Sequence, residues 1–323
     1  MSGVQDLSTA RVPVIILNWN GWQDTFLCLE SLKCSPDATN IWLVDNGSTE
    51  DHAAAAATLF PGLRSLRWDD NYGFAGGYNR ALRMACSEGY TFAYLLNNDC
   101  RVRPGFLSAV VEPALREDRL AAVGSCMVFA EDTAWAIFDG EYHLVGEQPL
   151  EPFDLRFVPH VNGAGMLVRL QTLAELGLFD ERFFCYGEEM AWCQQAVGAG
   201  WRVAVCGQSV VVHRRQGSDV NHNAAYYRTR NYFLFVEDFR WPRRWVWTVL
   251  LCARAAGAVL DAFKRGAIDK AEAIAAAVRD AFLGRFGRRW SGPAPWLARV
   301  FLAWGWARAL MPGRRSRRER PPF

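Results

Sequence analysis

Three short apolar runs, each ending abruptly in polar residues, constrain the fold more than any other feature. VPVIIL at residues 12–17 stops at Asn18, IWLV at 41–44 stops at Asp45, and FAYLL at 92–96 runs into Asn97, Asn98 and Asp99. Runs of this length, rich in β-branched and aromatic residues, read as strands buried on both faces. A buried strand has to leave the core where its first polar side chain appears. Between the runs lie helical faces, Trp22, Phe26, Leu29 and Leu32 in one and Tyr78, Leu82 and Ala85 in another. Strands alternating with helices predict a doubly wound α/β sheet, whose ligands bind beyond the carboxyl ends of the strands. Asn18, Asp45 and Asn97 to Asp99 are therefore expected on one rim.

Beyond Gly105 the pattern predicts a helix to about Arg116, a strand around Ala121 to Val128 and an irregular stretch from Glu131 to Pro159. Then follow VNGAGMLVR, a helix beginning near Gly187, a strand pair around Arg202 to Val205 and Val210 to His213, and a helix from about Ala225 to Phe239. Charge divides the chain into residues 1–240 and 241–323. The second part carries 17 Lys and Arg against 5 Asp and Glu, and the first 19 against 29. A basic tail suits nucleic acid or an anionic membrane surface. Its tryptophans favour the membrane, and nothing in residues 1–240 supports a nucleic-acid partner. Trp245 to Phe263 and Pro295 to Met311 read as amphipathic helices for the headgroup region, with packing on the main domain as the other reading.

Nine cysteines without a CxxC pair indicate neither a disulfide framework nor a zinc site. A reducing cytoplasm is expected. The polar leader before the first apolar run does not have the form of a secretory signal.

The polar clusters suggest chemistry. Asp45 opens VDNGSTE, where a carboxylate can accept from a base or ribose or cap the following turn. In NYGFAGGYNRAL three glycines lead into a helix, a way to bring backbone N–H groups near a phosphate or sugar; a flexible loop is the alternative. Hard oxygens in NND suit Mg²⁺ or Mn²⁺, although an isolated NND is more often a turn.

Together VIILNWNG, LVDNGSTED, NYGFAGGYNRAL, LLNND, VNGAGMLVR, FDERFFCYGEEMAWC and AGWRV…VVHRRQGS resemble, in order and approximate spacing, the family 2 glycosyltransferases, and within them a rhamnosyltransferase branch. The resemblance covers residues 11–240, with a weaker echo at RDAFLGRFGRR. It implies a GT-A fold, a Rossmann-like and mostly parallel sheet flanked by helices, and an inverting transfer from a nucleotide diphosphate sugar to a glycan or lipid-linked hydroxyl.

Carried over to this sequence, the resemblance places Asn18, Asn20 and Asp45 in the nucleotide pocket and Asn71, Gly73 and Gly77 along the donor. Asn97 and Asp99 stand at the ends of a DxD-like metal motif, with Asp99 carrying the charge and His213 completing the site for Mg²⁺ or Mn²⁺. Glu189 is the expected base; Glu188 beside it is a like charge that should strengthen it. Gly163 and Ala164 would form the floor beneath the sugar, and Arg230 of an Arg-Asn pair would meet the diphosphate. The tail would hold the enzyme at the cytoplasmic membrane face, in cell-surface polysaccharide synthesis. Ala191 where relatives often have an acid, Tyr78 where Asn is common and Gln194–Gln195 where Arg is common depart from the pattern. With Asn97, Ala191 motivates the alternative of a non-catalytic nucleotide-sugar binding protein.

Overall fold

The structure, a computed structural model, describes residues 11–129, 135–137, 142–144, 154–214, 222–237 and 242–288. The expected helix at Pro295 to Met311 lies outside the described residues. Contacts divide the chain into two units, Met1–Asp180 with Glu188–Gln216, and Glu181–Gly187 with Gly217–Phe323.

The first unit opens with β1 (Val14–Asn18), α1 (Trp22–Lys33), β2 (Ile41–Asn46), α2 (Ala53–Leu59), β3 (Arg64–Trp68), α3 (Gly73–Ser87) and β4 (Phe92–Asn97). It continues with β5 (Cys100–Val102), α4 (Phe106–Arg116), β6 (Leu120–Phe129), β7 (Trp135–Ile137), β8 (Tyr142–Leu144) and β9 (Arg156–Phe157). Last come β10 (Gly165–Arg169), α5 (Leu170–Leu176), α6 (Glu188–Gly198) and β11 (Arg202–His213). The expected α/β architecture is present. The three apolar runs are β1, β2 and β4, with Ile15, Leu43 and Leu95 fully buried.

Strand order in the sheet is β3-β2-β1-β4-β10-β6-β11-β5. The β3-β2-β1-β4 half is parallel, as expected. The other half is mixed, because β10 runs antiparallel to both β4 and β6 while β11 runs parallel to β6. This reversal places the beginning of β10, not its end, on the rim: Gly165 pairs with Leu96. The two reversals across β10 restore the original direction in β11, so His213 ends on the same rim and pairs with Cys100 of β5.

Two strands expected at Arg202 to Val205 and Val210 to His213 form one, β11, with a register shift between Cys206 and Val210 where the expected break fell. Two apolar layers sandwich the sheet. One packs Leu29 and Leu32 of α1 with Phe106 and Val110 of α4; the other packs Tyr78 and Leu82 of α3 with Trp192 of α6.

The second unit holds α7 (His222–Phe235), α8 (Arg243–Lys264) and α9 (Ile268–Phe282). Phe233 of α7 packs with Val259 of α8 and with Ile274 and Val278 of α9. The domain boundary expected at residue 240 therefore falls inside this unit, because α7 finds its apolar partners in α8 and α9. α8 has 22 residues, and its most apolar 18 have a mean hydropathy of 1.6, so it is long and apolar enough to cross a membrane by length and composition.

Gly47, after β2, has φ +73°, and a Cβ there would lie 2.4 Å from the Asp70 carbonyl carbon. Left-handed backbone costs a side-chain-bearing residue about 1–2 kcal/mol, and a clash with backbone adds to it. We expect Gly47→Ala to lower stability by more than about 2 kcal/mol in urea denaturation, with an unchanged midpoint contradicting the packing described.

Candidate functional site

Asn18 joins three loops at the rim. Its side chain is fully buried; Nδ2 donates to Ser48 Oγ at 3.2 Å and lies 3.5 Å from Asp45 Oδ1. Oδ1 accepts from Gly21 N at 3.1 Å, Thr25 Oγ1 at 2.9 Å and Asn98 Nδ2 at 3.3 Å. Its amide is spent inside the protein, so Asn18 shapes the expected pocket rather than facing into it. Asn98, to which the sequence assigned nothing, also reaches Gly21 O at 3.2 Å and Thr25 Oγ1 at 3.1 Å. Asn20 is exposed at φ 55°, and its Oδ1 accepts from Thr49 N at 2.9 Å.

Asp45 is 1% exposed, accepts from Ser48 N at 3.1 Å and binds Arg67 Nη1 through its other oxygen. Arg67 also donates to Ser48 O at 2.7 Å. The sequence reading missed this cation on β3, whose alternating pattern in RSLRW was the available signal. Asn71 Oδ1 accepts from Gly73 N at 2.8 Å and from Asn46 Nδ2 at 3.1 Å, fixing the start of α3. There Gly73 has φ +70°, while a Cβ at Gly77 would lie 2.8 Å from Leu17 Cδ1.

Tyr78 donates to Leu96 O at 2.9 Å, bracing β4 one residue before Asn97. Asn97 N in turn donates to Ala164 O at 3.0 Å. A Cβ on the neighbouring Gly163 would lie 2.8 Å from Phe74 Cζ and 3.4 Å from Glu189 Cβ. The small residues therefore separate the end of β4 from the first turn of α6. Glu188 and Glu189 both occupy that turn, where the helix dipole favours carboxylates. They differ in position: Glu188 is 2% exposed, while Glu189 is half-buried. Among the departures, Gln195 donates to Leu176 O at 2.9 Å, closing the end of α5, and nothing in the structure explains Ala191.

Asp99 Oδ1 lies 3.4 Å from His213 Nε2, and Cys100 completes a group whose ligand atoms fall within 4.8 Å of one another. Burial pushes the Asp99 carboxyl above the usual carboxylate range, with His213 pulling it back and Asp24 adding to the rise. A half-buried carboxylate suits Mg²⁺ or Mn²⁺, and the imidazole that meets it suits a transition-metal ion better than Mg²⁺. Cys100 is a soft, fully buried thiol 3.6 Å from Ala164 O, which leaves Asp99 and His213 as the pair that fits such a cation. Arg214, the next residue, donates from its backbone to Asp99 O at 2.9 Å and from its side chain to Asp24 at 3.0 Å. This half-buried arginine, paired with Asp24, was missed in VVHRRQGS.

Arg230 requires a correction. It is fully buried in the second unit, with donors on Gly287 O at 2.7 Å, Arg182 O at 3.1 Å and Phe183 O at 2.9 Å. Asn231 beside it donates to Phe183 O at 3.0 Å and to Cys185 O and Tyr186 O, each at 2.8 Å. The guanidinium fork is filled by carbonyls and has no place for the expected diphosphate. The echo in RDAFLGRFGRR belongs to the same construction, since Asp280 accepts from Tyr226 at 2.7 Å and Gly287 O from Arg230.

Comparison with known proteins bears on the fold and the family. The model of Glycosyl transferase family 2 matches residues 14–175. An N-acetylglucosaminyl-diphospho-decaprenol L-rhamnosyltransferase of Mycobacterium tuberculosis is 25% identical over 294 residues, covering 80% of this chain and 95% of that protein. Among solved structures, GalNAc-T7 with UDP, GalNAc and Mn²⁺ matches at a TM-score of 0.57 and 16% identity, over 76% of this chain and 50% of that one. The mannosyltransferase PcManGT from Pyrobaculum calidifontis, with GDP-Man and Mn²⁺, matches at 0.52 and 19%, over 93% and 80%. The fold is GT-A.

Replacing Arg230 with Ala leaves several buried carbonyls without donors, each costing about 1–3 kcal/mol. We expect Arg230→Ala to lose about 3 kcal/mol or more of stability in denaturant melts, and Arg230→Lys, lacking the fork, to recover only part.

Proposed function

The chain belongs to glycosyl transferase family 2, and we propose that it is an inverting enzyme moving a sugar, taken to be rhamnose, from a nucleotide diphosphate sugar to a lipid-linked glycan hydroxyl. That it is a glycosyltransferase follows from the family and its relatives. The finer reading rests on one observation: Asn97 is tied to Ala164, and Gly163 abuts Glu189, so the metal ledge and an acid border one floor of small residues.

In this reading Glu189 takes the proton from the acceptor hydroxyl, whose oxygen attacks the anomeric carbon from the face opposite the leaving group. Configuration inverts in a single displacement, and the nucleoside diphosphate departs. When bound, Mg²⁺ or Mn²⁺ supplies positive charge against the leaving diphosphate, with Asp99 and His213 as its protein ligands. In this reading Arg214, whose backbone N–H meets Asp99 and whose side chain pairs with Asp24, would take the role expected of Arg230. Base and ribose would be met where Asn20, Asp45 and Arg67 meet the β2 loop; UDP-, GDP- and dTDP-linked donors remain the candidates.

A lipid-linked acceptor is supported by the rhamnosyltransferase, whose name includes a diphospho-decaprenol acceptor, and by α8. Trp245, Val246, Val249 and Leu250 are exposed along that helix next to Arg243 and Arg244. We place the enzyme peripherally on the inner face of the cell membrane, in polysaccharide synthesis.

A positioned carboxylate base typically contributes 10² to 10⁴-fold. We expect Glu189→Gln to lose turnover by about that factor, while a donor-induced thermal shift in Mn²⁺ persists. Unchanged turnover would remove Glu189 as the base. Absence of a shift in the wild-type chain with UDP-, GDP- and dTDP-sugars alike would count against donor binding itself. Asp99→Ala is expected to abolish the metal-dependent part of the shift and leave any metal-independent part.

A further inference from the structure

Phe74, near the start of α3, differs from its aromatic neighbours in being half-buried, whereas Tyr78, Phe179 and Trp192 are closed off from solvent. The rings form a chain. Phe74 lies 4.6 Å from Tyr78 and 6.5 Å from Phe179, centre to centre, and Phe179 lies 5.8 Å from Trp192. The polar groups of this cluster turn inward, Tyr78 Oη donating to Leu96 O at 2.9 Å and Trp192 Nε1 to Gly177 O at 3.0 Å. Phe179 is also fixed through its backbone, because Asn79 Nδ2 donates to its carbonyl at 2.9 Å and its N–H donates to Asn79 Oδ1 at 3.1 Å. Phe74 is therefore held by a packed cluster whose hydroxyl and indole N–H are already engaged.

The far edge of the Phe74 ring reaches the floor of small residues. A Cβ on Gly163 would lie 2.8 Å from Phe74 Cζ and 3.3 Å from Cε1, and 3.4 Å from Glu189 Cβ. One point of the floor is thus flanked by an aromatic edge on one side and by the side chain of the acid on the other. A sugar hydroxyl pressed against such an edge gives up water and gains no partner of equal strength. A hexose has hydroxyls around its ring, and the substituent on C5 carries one more. In a 6-deoxyhexose that substituent is a methyl group, which the edge accepts without loss. The departure at Tyr78 fits the same arrangement, since Asn at that position would remove the ring on which Phe74 packs.

We infer that Phe74 determines sugar specificity: its ring edge receives the C5 methyl group of a 6-deoxyhexose and disfavours the parent hexose, which carries a hydroxymethyl group there. The inference rests on the proposed placement of the donor sugar over Gly163 and Ala164. It goes beyond that placement by naming the class of sugar admitted and the residue that reads it.

The test is equilibrium binding of dTDP-L-rhamnose, dTDP-L-mannose and dTDP to the full-length chain, by titration calorimetry in Mn²⁺. The two sugars differ only by a hydroxyl on C6. An apolar pocket rejects an added hydroxyl by up to about a hundred-fold, so the wild-type chain should prefer dTDP-L-rhamnose by about ten- to a hundred-fold. Phe74→Asn offers the hydroxyl an amide and should bring the two donors to within about three-fold of each other. Phe74→Leu keeps an apolar side chain against Tyr78 but ends short of the ring edge, and should narrow the preference by about four-fold, roughly one methylene of contact. dTDP carries no sugar and reports folding and the nucleotide pocket in each variant. The ratio of the two donors cancels any change common to both, which is all that a purely structural role of Phe74 would produce.

Equal affinity of the wild-type chain for the two donors would overturn the inference and leave the donor reading standing. A preference unchanged in Phe74→Asn or Phe74→Leu, in a variant that still binds dTDP, would do the same. Binding of dTDP with no gain or loss from either sugar would instead remove the sugar from the floor of small residues, and the inference with it.

Discussion

The site depends on one buried amide, that of Asn18. A strand leaving the core exposes backbone groups and loop ends that have to be satisfied by something, and here a single side chain serves three of them. Its Nδ2 faces Ser48 and Asp45 in the loop after β2, and its Oδ1 faces Gly21 and Thr25 at the start of α1 and Asn98 after β4. Those loops carry Asn20, Asp45 and Asp99. An Asp in place of Asn18 would lack the donors for Ser48 and put a second charge against Asp45; a Leu would leave every partner unsatisfied in a buried setting. The polar end of β1 is therefore a structural requirement before it is a binding feature.

The direction of β10 determines what else joins those loops. In an all-parallel sheet the segment preceding a strand sits on the far edge, away from ligands. Because β10 is reversed, Asn162 to Ala164 stand beside Asn97 instead, and the restored direction of β11 delivers His213 to Asp99. Direction could not be read from the chain. GMLVR is five buried residues, and a strand buried on both faces has the same apolar pattern whichever way it runs. Only the resemblance placed VNGAG and His213 near the site. The backbone pairings explain how they come to be there.

Other gaps between sequence and structure have equally local causes. β1, β2 and β4 were legible because each is continuous, apolar and ended by a polar side chain. β3 was not: RSLRW alternates between half-buried and exposed, and its two arginines read as surface, yet Arg67 holds Asp45. α9 passed unnoticed because its buried face is made largely of Ala271, Ala273, Ala275, Ala276 and Ala277, which give little hydrophobic contrast. The domain boundary failed for a related reason. α7 carries Arg228, Arg230 and Asn231 beside its aromatics and looked like part of the catalytic domain, whereas its buried residues pack on α8 and α9.

Arg230 and Asn231 show how a motif can be recognised correctly and assigned the wrong task. The turn they hold contains Phe184 at φ 64° and Tyr186 at φ 70°, bulky residues in backbone normally left to glycine. Two such residues cost about 1–2 kcal/mol each, and the turn persists only if its surroundings over-determine it. Adjacent residues on α7 do so by donating to the carbonyls of Arg182, Phe183, Cys185 and Tyr186. A Lys cannot span that arc, and an acid would add repulsion where donors are needed. After Gly187, at φ +101°, the chain enters α6 with Glu188 and Glu189 as its first two residues. The strained backbone is thus confined to the segment that ends at Gly187, one residue before α6 begins.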